Sequence, residues 1–165
     1  MNKAEYYIES LELLPHIEGG YFKEVYRNDD IIDNSALPDR YVGNRCFGTS
    51  IYFLLKNNDV SKLHRLQSDE IWHFYDGCPV KIVMISPRGK LIEKVLGLDV
   101  ANGQSPQVLC PKHHWFGAYL TDDSSFGFVG CNVFPGFEFQ DFILAKRERL
   151  LQEYPDYSEI ILKLT

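Results

Sequence analysis

No two of the four cysteines (Cys46, Cys78, Cys110 and Cys131) form a C-x-x-C pair. That spacing speaks against a four-cysteine zinc site, whose ligands usually come in close pairs. The opening MNKAEYYIESLELL has scattered charges and no apolar core, so no export signal is read there. The cysteines are therefore expected as reduced thiols packed like small hydrophobes, with the cytoplasm as the expected compartment. No apolar run approaches the length of a membrane span. Positive charge is also scarce. Lys and Arg total 17 against 23 Asp and Glu, giving a net charge of -6, and nothing gathers the cations into a patch. Phosphate binding needs a basic face, so nucleic acid is excluded as the main partner. Internal repeats and low-complexity segments are missing too.

What remains is an ordinary globular composition. Hydrophobic residues make up 45% and charged residues 24%, and 165 residues suit one domain spanning 1–165. Eleven Phe and ten Tyr favour a sheet-rich protein with an aromatic interior over a helical bundle. Tyr7, Leu11 and Leu14 recur at helical spacing before Pro15, which predicts a short N-terminal helix. GGYFKEVYR (Gly19 to Arg27) then alternates as a strand. Asn28 to Gly43 is polar and turn-rich, the best candidate for a mobile flap.

From Thr49 onward short strands succeed one another: TSIYFLL, SKLHRL, EIWHFY, VKIVMIS, KLIEKVLGL, PQVLC, WFGAYL and FGFVGCNVF. Turn residues separate them, a pattern of sandwiches and barrels. DFILAKRERLLQEYP then changes period. Asp141 is the expected N-cap of a C-terminal helix with Ile143, Leu150 and Tyr154 as its apolar stripe and Pro155 as its stop.

The stretch LHRLQSDEIWHFYDG (Leu63 to Gly77) holds the candidate chemistry. His64 and Leu66 share one strand face; Glu70, Trp72 and Phe74 share a face on the next. Antiparallel neighbours lie roughly 5 Å apart, so His64 and Glu70 are expected to meet across a hairpin. Such a pair can hold a metal, move a proton, or simply satisfy itself in the core.

The run from His64 through Leu66 and Glu70 to Gly77 resembles the first motif of the cupins, and PKHHWF (Pro111 to Phe116) resembles a degraded second one. HIEGGYFKEVYR, SDEIWHFYDG and VGCNVFPGFEFQDFILAKRERLLQEYP are similar to the hallmark blocks of the cupin 5 (DUF985) family, a resemblance reaching from about Leu11 to Tyr154. It implies an all-β double-stranded β-helix, or jelly roll, commonly a homodimer. It also implies a small-molecule ligand, because members are often labelled predicted sugar or nucleotide-sugar epimerases. Leu66 and Phe116 stand where metal-holding cupins place histidines, so no metal and no other cofactor is expected.

His64 is accordingly read as a general base, with Glu70 as its partner or orienting group. Trp72, Phe74, Tyr52 and Phe116 are read as the ligand-binding wall. His73 faces the other way and reads as structural, His113 and His114 as loop residues, and His16 as a surface or capping residue. The alternative to an epimerase or isomerase is a non-catalytic binding module for a small aromatic or heterocyclic ligand. A metal-dependent enzyme survives only if residues outside the motif complete a site.

Overall fold

Period-two alternation, read strand by strand, carries through to the structure, a computed structural model that describes residues 2–165. Helix α1 (Lys3–Ser10) is capped by the Asn2 side chain, which accepts the Glu5 N–H. Thirteen strands are present among the described residues. They are β1 (Leu14–Pro15), β2 (Tyr21–Arg27), β3 (Ile31–Ile32), β4 (Arg45–Cys46), β5 (Thr49–Lys56), β6 (Val60–Arg65) and β7 (Asp69–Gly77), followed by β8 (Val80–Ile85), β9 (Leu91–Leu96), β10 (Gln107–Cys110), β11 (Trp115–Leu120), β12 (Phe126–Phe134) and β13 (Ile143–Leu144). Helices α2 (Arg147–Glu153) and α3 (Ser158–Lys163) follow.

Two antiparallel sheets face each other, in the orders β1-β2-β5-β12-β7-β10 and β13-β6-β11-β8-β9, with β3 and β4 as a separate ribbon. This is the expected jelly roll, with its sheet edges left open. Phe53, Trp72, Ile82, Phe116 and Val129 fill the space between the sheets. The outer face of the six-stranded sheet packs Leu54 and Phe128 under Ala4 of α1. The other outer face packs Leu63, Val83 and Trp115 against Leu150 and Ile161 of the C-terminal helices.

Three irregularities re-aim side chains. In β6, Phe116 pairs with His64 but Ala118 with Ser61, so β6 carries one extra residue. Strict alternation would send Ser61 and His64 to opposite faces; the bulge turns both inward. Gly117 permits it, since a Cβ there would sit 2.6 Å from the Ser61 carbonyl oxygen. In β2 the register slips between Glu24 and Tyr26, which brings Glu24 and Arg27 to the same rim. In β7 the slip leaves Tyr75 lying over Gly130, where a Cβ would meet its hydroxyl.

Several expectations need correcting. β6 and β7 do not form a hairpin: they belong to opposite sheets, so the Gln67-Ser68 turn crosses the sandwich. Asp141 caps no α-helix. It sits buried in a 3₁₀ turn, binding Arg45 through both carboxylate oxygens at 2.7 and 2.6 Å. Ile143 pairs with Arg65 in β13, and α2 begins only at Arg147. Leu14 is exposed in β1 rather than lying on the helix stripe. The 28–43 stretch holds β3 and a 3₁₀ turn (Asn34–Ala36), and near its end Tyr41 is buried with its hydroxyl 2.8 Å from Ser68 Oγ while Arg40 donates to the Gln67 carbonyl.

Candidate functional site

A cavity of about 100 Å³ opens between the sheets at the end where β2, β5, β6, β7 and β12 converge. That is room for several waters or a compact small molecule. His64 from β6 and Glu70 from β7 reach it from facing sheets. Glu18, from the turn before β2, joins them. It arrives there because Gly19 and Gly20 both take positive φ and press their backbone onto β5 and β6: a Cβ on Gly19 would stand 2.1 Å from the Val60 carbonyl oxygen. Only glycine accepts that combination without strain. Ser61 Oγ donates to Glu18 Oε1 at 2.7 Å, and the Lys62 N–H donates to the Glu18 carbonyl at 2.8 Å.

His64 is 2% exposed and clasped between the Phe116 and Phe142 rings, with centroids 4.2 and 5.1 Å away. Its Nδ1 lies 2.7 Å from the Lys62 carbonyl oxygen. A carbonyl can only accept, so Nδ1 carries the proton and neutral His64 turns an Nε2 lone pair inward. That Nε2 stands 3.3 Å from Glu18 Oε2. The carboxyl neighbour of His64 is therefore Glu18, and the expected His64–Glu70 hydrogen bond is absent from the structure.

His16 is a further correction. It is not a surface residue: its side chain is 8% exposed, lines the cavity and sits edge-on to Phe22 at 4.5 Å. Its Nδ1 accepts the Glu18 N–H at 3.2 Å.

Burial dominates the protonation of this cluster. It pushes Glu18 up to about 6, against the pull of His16 and the Ser61 hydrogen bond. Glu70 rises further, to about 8, by burial and then by the charge of Glu18. His64 falls to about 4 for the same desolvation reason, the Lys62 carbonyl offsetting part of it. Glu18 Oε2 and His64 Nε2 are two lone-pair atoms with room for one proton between them, so they titrate as a unit.

The expected wall residues fall elsewhere. Trp72 and Phe116 are packed in the core, and Phe74 packs against it; none of the three lines the cavity. Phe116 touches the site only through the His64 ring. Tyr52 lies on the outer face with Phe128 and Tyr75. The wall is formed instead by Phe22 and Phe53 and, from the segment after β12, by Phe137, Phe139 and Phe142. Arg27, Glu24 and Glu138 complete the rim. His113 and His114 lie on the turn before β11 and do not line the cavity, in keeping with loop residues.

The jelly roll is the cupin fold, and this chain belongs to the cupin superfamily. Residues 5–145 match the family described as "Cupin superfamily (DUF985)". Protein SO0799 from Shewanella oneidensis is 42% identical, superposes with a TM-score of 0.90 and covers 100% of this chain and 98% of its own. A hypothetical protein from Leishmania major is 31% identical with a TM-score of 0.89, covering 99% of both chains. The uncharacterized yeast protein YML079W of Saccharomyces cerevisiae is 29% identical over 150 residues, 86% of this chain and 74% of that one. Oxalate decarboxylase from Bacillus subtilis, at 13% identity and TM-score 0.54 over 92% of this chain and 36% of its own, shares the fold.

That decarboxylase has Mn(II) centres, but the donors here do not fit a metal. Leu66 and Phe116 hold apolar carbon at two of the motif positions, so the motif supplies only His64 and Glu70, which reach the cavity from facing sheets. Among the described residues no group of three or more His, Cys, Asp or Glu side chains is arranged to hold a metal ion.

Proposed function

We propose that the cavity is a proton-transfer site for a small molecule, an isomerase or epimerase that moves a proton beside a carbonyl. The observation that carries this is two buried carboxyls lining one cavity, Glu18 with its Oε2 3.3 Å from His64 Nε2 and Glu70 from the facing sheet; burial pushes Glu18 up to about 6 and Glu70 further, to about 8. At neutral pH one is a carboxylate and the other still holds its proton, which is the division of labour acid–base catalysis needs. Glu18, coupled to His64 Nε2, is the base; Glu70 is the acid. The base role read for His64 alone passes to the pair, because a fully desolvated imidazole holds a proton poorly. A sugar is one ligand class that suits the reading, and a cavity of about 100 Å³ is too small for a nucleotide, which would stay outside.

The test is solvent exchange. The protein is incubated in D₂O with a panel of aldoses, ketoses and small keto acids, and deuterium beside the carbonyl is followed by NMR. Exchange is expected with at least one of them. Glu70→Gln should slow it by about 10²–10⁴-fold. Tight binding with no exchange by any panel member sinks the enzyme reading. The second reading, a binding module for a flat apolar ligand, is favoured by the five phenylalanines of the wall.

A further inference from the structure

The polar groups of the cavity are matched unevenly, and the mismatch points to a ligand charge. Four carboxyls line it (Glu18, Glu24, Glu70 and Glu138) against a single guanidinium, Arg27. Arg27 is fully engaged. Its Nε donates to Glu24 Oε1 at 2.9 Å, Nη2 to Glu24 Oε2 at 2.9 Å and to the Phe137 carbonyl at 3.1 Å, and Nη1 to Glu138 Oε1 at 2.7 Å and toward Cys46 Sγ at 3.7 Å. Five N–H groups meet five acceptors, so none is left for a phosphate or carboxylate. Among the described residues no lysine lines the cavity.

Around Glu18 the surplus is of acceptors. Glu18 Oε2 faces His64 Nε2 at 3.3 Å and His16 Nδ1 at 3.6 Å. Both nitrogens present lone pairs, since His64 keeps its proton on Nδ1 and His16 Nδ1 already accepts the Glu18 N–H. Ser61 Oγ binds the other oxygen, Glu18 Oε1, and no protein N–H or O–H among the described residues donates to Glu18 Oε2 or to His64 Nε2. The remaining wall is aromatic, and ring faces attract cations.

We propose that the cavity is built for a basic nitrogen, a protonated amine carried on a small ring, and that it rejects anions. The ammonium donates into the notch formed by Glu18 Oε2 and His64 Nε2 while the ring lies among Phe22, Phe53 and Phe142. The proposal rests on the reading that this cavity is the ligand site; it holds whether or not a proton is then moved.

Two matched series test it on the intact protein: benzylamine, benzyl alcohol and benzoate, then glucosamine, glucose and glucuronate. Binding is measured by calorimetry, and the ring C–H resonances of His16 and His64 report the place. In at least one series the amine should move both resonances and bind ten times or more tightly than its neutral partner, with the anion silent. Glu18→Gln, or Glu18→Asp if the first variant fails to fold, removes or withdraws the carboxylate oxygen of the notch and should lower amine affinity about tenfold, with a much smaller effect on the alcohol. An anion or neutral partner binding in the cavity as tightly as its amine overturns the charge rule alone, as does an amine affinity indifferent to both variants. If no probe moves either histidine, the cavity is not the ligand site, and that reading falls together with this one.

Discussion

Two clusters of buried charge sit in this protein, and they are finished to different degrees. Arg45 is 1% exposed and meets Asp141 through two parallel hydrogen bonds, while its Nη1 donates to the carbonyls of Val42, Gly43 and Asn44. Every group there has a partner of opposite kind. At Glu18, His64 and Glu70, by contrast, desolvation is just as complete, yet lone pairs face lone pairs and an acid faces a cavity. Burying charge is costly in both places. The first site recovers the cost inside the fold, tying the 42–45 segment to the turn after β12. The second leaves it unrecovered, as expected where a ligand completes the set.

The largest effect should come from breaking the finished cluster. Asp141→Ala leaves a buried guanidinium unpaired and is expected to cost about 3–5 kcal/mol. In denaturant titrations the midpoint drops accordingly, and the melting temperature falls by about 6–20 °C. A shift of under a degree would mean the pair is not buried in solution.

Next comes pH. Glu70 keeps its proton in the folded state up to about 8, whereas the unfolded chain releases it near 4.5. Between those values the unfolded state binds fewer protons, so stability falls as pH rises through that window. Glu18 adds the same sign between 4.5 and about 6. His64 acts oppositely: its folded value is lowered to about 4 from 6.5, so it costs stability as pH drops through that range. Glu70→Gln should therefore melt higher than the parent at pH 8 and much closer to it at pH 5, by an amount on the order of a few kcal/mol. Parallel melting curves for the two proteins across that range would refute a buried acid that keeps its proton at this position.

Gly19→Ala should have a smaller, local effect. The added methyl meets the Val60 carbonyl at 2.1 Å at a φ of 112°, and a loss of about 1–3 kcal/mol is expected. The resonances of His64 should shift along with it, because Glu18 moves. Smallest of all is Arg27→Gln. The guanidinium is 38% exposed, so its ion pairs are worth roughly 1 kcal/mol or less to the fold. Its unfolding midpoint should barely move while ligand selectivity at the rim changes.

How much of this was legible in the chain depends on which rule each residue obeys. The long strands follow period two, so their existence and the sheet-rich class could be read directly. The His64–Glu70 hairpin could not: QSD looks like a tight turn, but here it carries the chain from one sheet to the other, and facing replaces pairing. Glu18 was hidden because Glu-Gly-Gly reads as surface turn chemistry. The signal was the doubled glycine, which marks a backbone pressed against its neighbours. Phe137, Phe139 and Phe142 lie in a segment with no period, so nothing local marked them as wall. Trp72 and Phe74 have the expected strand parity, but the inner face of β7 is longer than the cavity. Tyr52 falls between the inward Ile51 and Phe53 and so points out.

The extra residue in β6 has a consequence on the far side of the sheet. Leu63, the outward member of that bulge, donates its N–H to the Leu164 carbonyl at 2.8 Å and accepts the Ala145 N–H at 2.8 Å. The peptide between Lys62 and Leu63 thus has one neighbour that orients an imidazole and another that anchors the helical coat. Loosening Leu164 would tilt the ring of His64 without touching the cavity, which makes the helical layer a strut for the site rather than a mere cover.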